Sequence, residues 1–246
     1  MATGLKFDLA DGRRWLIRPL DERAAAVVVE LGRVMRLKPG ATGRELLVAV
    51  PGGDDWYPAA GLETGGPVTC CVADPSNPDR LATGMDRVAF LVAMDALARG
   101  GLLLHAALAE HRGRGFLMAG PGTVGKSTAS RRLPPPWSSL CDDTTLVVRD
   151  RAGRFWAHPW PTWSTFHIAG PADRSWEVER AVPLRAVFFI SQAPADRLEP
   201  VTPTQATALT IESAVEVSRE ACRLADRRAA RRLCDAAAGA ARHLAA

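Results

Sequence analysis

Hydrophobic and polar positions sort the chain into short, alternating pieces. Lys6 to Pro19 carries apolar residues on either side of Asp11-Gly12, a pair suited to a tight turn, and predicts a hairpin. Asp21 to Leu37 repeats apolar residues at helical spacing. Asp21 and Glu22 suit the positive end of a helix, and Lys38-Pro39-Gly40 ends it. Leu46 to Val50 and Val68 to Ala73 are apolar runs of strand length, parted by a Gly/Asp/Pro-rich loop. Asp86 to Arg99 predicts a helix stopped by Gly100-Gly101. Leu102 to Glu110 predicts a strand, Gly113-Arg114-Gly115 a turn and Phe116 to Ala119 a second strand. Beyond lie a helix from Lys126 to Leu133 and apolar strands at Thr144 to Val148 and Ala186 to Ile190. A helix over Thr202 to Arg219, with Ala208, Ile211, Val215 and Ser218 on one face, leads into an Ala/Arg-rich helix from Ala221 to Leu244.

This order predicts an α/β chain with an α+β mixed sheet. A small N-terminal α+β region over residues 1–80 precedes a main domain over 81–246. Hydrophobic residues at 47% and charged residues at 24% exclude a disordered chain and supply a core. The balance of Lys+Arg 31 against Asp+Glu 27, a net +4, gives no reason to expect nucleic acid as a partner. Apolar runs such as Val88 to Leu97 are too short to span a bilayer, and the first residues have no apolar signal core. The five cysteines, Cys70, Cys71, Cys141, Cys222 and Cys234, form no CxxC pair. That argues for buried thiols in a reducing cytoplasm.

The chemistry concentrates at residues 120–127, GPGTVGKS, which complete the G-x-x-x-x-G-K-[ST] pattern between an apolar strand and a helix. Gly120, Gly122 and Gly125 let the backbone turn its N–H groups toward phosphate, and a helix start adds partial positive charge. Thr123, Val124 and Thr128 complete the expected nucleotide-binding stretch. Lys126 can reach β- and γ-phosphates, and the Ser127 hydroxyl can ligate Mg²⁺. Asp142-Asp143 come early, ahead of the apolar run Thr144 to Val148 rather than at its end. Such a pair is either a turn or a site, where one carboxylate holds Mg²⁺ and the other accepts a hydroxyl proton.

His105, then GPGTVGKST at 120–128, then Cys141-Asp142-Asp143 together resemble the HPr kinase/phosphorylase superfamily. The resemblance implies a P-loop fold related to phosphoenolpyruvate carboxykinase, and serine kinase activity with ATP and Mg²⁺. It implies that Lys126 binds the β/γ-phosphates, that Ser127 and Asp143 hold Mg²⁺, that Asp142 is the general base, and that His105 tunes the transferred phosphoryl group. The chain reads GKST where that family has GKSE, and AHPWPTWS at 157–164 in the region of its Glu-Ile-Arg-Gly segment. Those departures point away from HPr itself as acceptor. LADGRRWLIRP at 9–19 and AHPWPTWS look like the SynChlorMet cassette protein ScmC, a group that accompanies peptide-maturing radical enzymes. The implied acceptor is a Ser or Thr of a peptide or small protein, with peptide-maturation enzymes as further partners and a homo-oligomer as a possible assembly. An ATP hydrolase and a nucleotide-gated peptide-binding accessory protein are the alternatives.

Other features carry two readings each. Trp156, Trp160, Trp163, Phe166 and His167 either shape a pocket for adenine or peptide, or plug the core under a loop. Pro159 and Pro161 among them oppose a central strand. His158 is a lesser candidate for the phosphate site, and Arg185 could approach phosphate from a strand edge. Arg227/Arg231 and Arg228/Arg232 make a basic stripe for a partner or a solvated face.

Overall fold

The computed structural model describes residues 4–51, 62, 65–163, 174–224, 235 and 238–244. The chain forms two units, residues 1–95 with 161–179, and residues 96–160 with 180–246. The division thus falls at the end of a helix rather than at residue 80, and the first unit takes back a later segment.

In the first unit, β1 (Gly4–Asp8) and β2 (Arg14–Pro19) make the expected antiparallel hairpin. Gly12 supplies the positive φ of 87° that its turn requires. α1 (Glu22–Val34) starts on Asp21, whose side chain accepts the Ala24 N–H. Lys38-Pro39-Gly40 does more than end that helix. It forms the edge strand β3 (Lys38–Gly40), which pairs antiparallel with β1. β4 (Arg44–Ala49) and β5 (Val68–Cys71) extend the sheet in parallel, giving a five-stranded order β3-β1-β2-β4-β5. Phe7, Trp15, Ile17, Leu46 and Val48 are buried together with Val27, Val28 and Leu31 of α1. Arg44 crosses this apolar interior to a buried ion pair with Asp95 at 2.6 Å, and its guanidinium lies over Trp15. α2 (Pro78–Leu97) begins more than two turns before the expected Asp86, because Asn77 accepts the Arg80 N–H and Pro78 suits a first helical position.

The second unit is built on a seven-stranded mixed sheet of order β6-β10-β11-β12-β8-β7-β9. Its strands are β6 (Leu102–Leu104), β7 (Ala106–His111), β8 (Arg114–Ala119), β9 (Ser138–Cys141), β10 (Thr144–Arg149), β11 (Phe155–Trp160) and β12 (Val182–Phe189). Only β12 and β8 pair in parallel; the other neighbours are antiparallel. The single strand expected over Leu102 to Glu110 is divided at His105. The register explains the division. Leu104 faces Thr145 and Leu108 faces Cys141, so β6–β7 and β9–β10 are halves of one antiparallel ribbon that opens between them. His105 and Asp142-Asp143 lie in that opening.

β11 corrects the reading of the aromatic stretch, since Pro159 does sit in an interior strand. β12 pairs only with Trp156 and Ala157, so no β12 residue is paired opposite Pro159, and the N–H that proline lacks is not missed. Trp160 and His158 are fully or almost fully buried there, as a plug of the core requires. Phe166 and His167 lie outside the described residues.

α3 (Lys126–Arg131) and α4 (Pro203–Leu224) complete the unit. The buried face of α4 holds Thr210, Ser213 and Ala214, not the expected one, and Val215 is exposed. Residues 238–244 are helical, while the Arg227/Arg231 and Arg228/Arg232 stripe, Cys222 and Cys234 lie outside the described side chains. No described helix is long and apolar enough to cross a membrane.

Candidate functional site

β8 and β12 run in parallel side by side, and the chain leaves β8 into the 120–127 turn. The turn is close against its neighbour: a Cβ on Gly120 would stand 2.9 Å from the Ile190 carbonyl oxygen. Thr123 takes φ 66° and Gly125 φ 110°, the positive values that bend the backbone back before α3. A Cβ on Gly125 would touch nothing within 4 Å, so glycine is needed there for conformation, not space. Gly125 is the N-cap of α3 and contributes no side chain, which leaves the first helical N–H groups to other acceptors.

Lys126 begins α3, buried to 5% exposure, and its ammonium donates to the carbonyls of Gly120 at 2.9 Å and Pro121 at 3.0 Å. Burial pulls its pKa below the ordinary 10.5, against the pull of Asp143 and Glu216. The Ser127 hydroxyl donates to the Asp142 backbone carbonyl at 3.2 Å. One small cleft is lined by His105, Gly122, Thr123, Gly125, Lys126, Ser127, Thr128 and Asp143. Most of the expected site residues therefore share one wall. Gly120 and Val124 support the turn from outside that lining, as does Asp142.

The two aspartates divide. Asp143 faces the cleft and binds His105 Nε2 through Oδ1 at 2.9 Å, with the Thr144 hydroxyl on Oδ2 at 3.3 Å. Asp142 turns to Arg131, at 2.7 Å, an exposed cation of α3. Cys141 shapes the step between them. Its buried thiol donates to the Thr144 carbonyl at 3.0 Å, and burial pushes its pKa up to about 11, so it remains a thiol.

His105 is held between two carboxylates. Nε2 meets Asp143, and Glu216 Oε2 of α4 stands 2.9 Å from Nδ1. The second contact is close enough for an ion pair but is poorly aligned as a hydrogen bond, so Nδ1 has no well-directed acceptor. The Asp143 hydrogen bond leads in raising the His105 pKa above the ordinary 6.5; burial opposes it and Glu216 adds to it. Burial pushes Asp143 and Glu216 upward, but their contacts with His105 outweigh it and hold both below their ordinary values. The two carboxylates thereby favour protonation of His105 more than water does, and Lys126 opposes it.

Glu216 is the site residue that motif reading passes over. Ser213, one turn earlier, accepts the His105 N–H through its backbone carbonyl and donates its hydroxyl to the His105 carbonyl, at 3.3 and 3.2 Å. That double link docks α4 on the ribbon opening and brings Glu216 to the cleft, where Oε1 accepts the Gly122 N–H at 3.1 Å. The signal in the sequence is a polar stripe, Thr207, Thr210, Ser213 and Glu216, along a helix otherwise rich in Ala, Leu, Ile and Val. His158, by contrast, is enclosed in β11 opposite Leu146 and does not line the cleft. Arg185 is the extra residue of a bulge between Leu184 and Ala186 and does not line it either.

The family model of the SynChlorMet cassette protein ScmC matches residues 68–244, a span that takes in every residue of this cleft. No curated protein matches the chain.

Proposed function

The chain belongs to the family of the SynChlorMet cassette protein ScmC, and from that premise we propose that it is a kinase. It would transfer the γ-phosphate of ATP to a serine or threonine hydroxyl of a peptide or small protein in peptide maturation. One observation carries the reading: Gly122, Thr123, Gly125, Lys126 and Ser127 of the GPGTVGKS run share a cleft with an Asp143–His105 pair delivered by a separate ribbon. A glycine turn of purely structural use would not need a buried lysine, a hydroxyl and a histidine–carboxylate pair on one wall.

In this reading Lys126 leaves the carbonyls of Gly120 and Pro121 to meet the β- and γ-phosphates. Ser127 Oγ and the Asp143 carboxylate are hard oxygen donors that line the same cleft and would hold a magnesium ion. That ion, when bound, neutralises charge between the phosphates. His105 fixes the direction of Asp143 and, when protonated, would add positive charge beside the transferring group. Asp142 takes the proton of the acceptor hydroxyl as the new P–O bond forms and ADP leaves. To do so it must be released by Arg131. Acceptor binding at the surface of α3 supplies a physical reason for that release, since Arg131 is exposed. The Asp143 carboxylate stands in the cleft already, and a direct comparison of the two aspartates distinguishes the roles.

The test is transfer of label from γ-labelled ATP to a panel of serine- and threonine-containing precursor peptides in magnesium buffer. We expect Asp142→Asn to bind ATP normally and to lose about 10²–10⁴-fold in transfer rate, the usual contribution of a general base. Asp143→Asn should lose transfer together with magnesium dependence. A loss confined to Asp143→Asn would exchange the two roles. Label appearing only as free phosphate would turn the reading to a hydrolase. Tight ATP binding with no turnover would turn it to a nucleotide-gated accessory protein.

A further inference from the structure

Glu216 stands where an anion belongs. Its Oε1 accepts the Gly122 N–H at 3.1 Å, and a Cβ on Gly122 would lie 3.5 Å from that same oxygen. Its Oε2 is 2.9 Å from His105 Nδ1. The two oxygens of one carboxylate therefore engage a backbone N–H of the glycine turn and the His105 ring of the ribbon opening at once. These are the kinds of donor that bind a phosphoryl oxygen. Meanwhile Lys126, the cation expected to meet phosphate, is turned onto the carbonyls of its own turn. The carboxylate is carried by α4, whose Ser213 is tied to His105 by two hydrogen bonds. That link fixes the stretch of backbone from which Glu216 reaches the cleft.

We propose that Glu216 is an internal stand-in for the terminal phosphate of the nucleotide, holding Gly122 and His105 in their binding arrangement and yielding its place when the nucleotide enters. This inference rests on the nucleotide reading of residues 120–127. The consequence is selective. A carboxylate left beside an incoming phosphate costs affinity through like-charge repulsion, and that cost is largest for the phosphate that takes its place. Glu216 therefore weakens ATP binding more than ADP binding. It keeps the cleft from holding a triphosphate too tightly, while the His105 contact preserves the geometry between turnovers.

The experiment measures ATP and ADP affinity by titration calorimetry in magnesium buffer. It compares the wild-type chain with Glu216→Gln, which keeps the shape and removes the charge, and Glu216→Ala, which removes both. Far-ultraviolet circular dichroism checks that each variant is folded. We expect ATP to bind both variants about tenfold tighter or more, with a smaller gain for ADP. ATP binding that is unchanged or weakened in both variants, with the wild type binding normally, overturns the stand-in and leaves the nucleotide reading intact. An equal gain for ATP and ADP overturns the assignment to the terminal phosphate. No binding by the wild type or by either variant overturns the nucleotide reading and this inference with it.

Discussion

At the residue scale, the charge state of His105 is the feature with the clearest pH signature. Its pKa is raised above 6.5 by Asp143 and Glu216, whose own pKa values are lowered below 3.8 and 4.5. A raised imidazole contributes stability that is fully present below its unfolded pKa and is lost as pH rises through its folded pKa. The lowered carboxylates contribute stability that is present above their unfolded pKa values and is lost as pH falls through the folded ones. The cluster therefore stabilises most between the ordinary carboxylate values and the ordinary histidine value. Thermal melting from mildly acidic to mildly alkaline pH should show wild-type stability falling past the raised His105 pKa. His105→Gln should remove that part of the fall. An unchanged profile in the variant would mean that the charge of His105 contributes nothing to the fold. Lys126 and Ser127 were legible in the sequence from the glycine-rich motif and Asp143 from the Asp142-Asp143 pair, whereas His105 stood out only through the family resemblance. Glu216 was not legible, because its role depends on where α4 docks. The pairing of Asp142 with Arg131 was equally hidden, since it depends on which way the start of β10 turns.

At the scale of elements, the parts read from periodicity stand close to where they were expected, and the departures have local causes. The hairpin, α1, β4, β5 and β8 follow from alternation and turn residues. The split at His105 could not be read, because Leu102 to Ala109 is apolar without interruption except at that one residue. On the other side of the opening lie Asp142-Asp143, distant in sequence. The buried side of α4 was misjudged because hydrophobicity marked Ile211 and Val215, whereas hydrogen bonds to His105 made a polar face the buried one. The glycine turn gives the element-level prediction. Gly125 needs φ 110°, and an alanine there has space but not the conformation. Gly125→Ala should lower unfolding free energy by about 1–2 kcal/mol in urea denaturation, the ordinary cost of forcing an L-residue into left-handed backbone. A variant as stable as the wild type would show that the turn relaxes without its positive φ.

At the scale of the whole molecule, the mixed α/β character was legible from the interleaving of strand- and helix-length runs. The division into units was less so, because residues 161–179 return to the first unit and no composition shift marks the crossing. The residues of the cleft all fall in the second unit: His105 from the ribbon, residues 120–127 from the end of β8, Asp143 from the start of β10 and Glu216 from α4. Such a gathering from distant sequence positions onto one parallel strand end is what a ligand site in a mixed sheet needs. The central claim is that this cleft holds a magnesium nucleotide through Lys126, and the most direct measurement is ATP titration of the wild type and of Lys126→Ala, each with and without Mg²⁺. The account predicts magnesium-dependent binding by the wild type at micromolar to millimolar affinity and a loss of at least about thirtyfold in Lys126→Ala. ATP binding that is absent from the wild type, or equal in the two proteins, would contradict it.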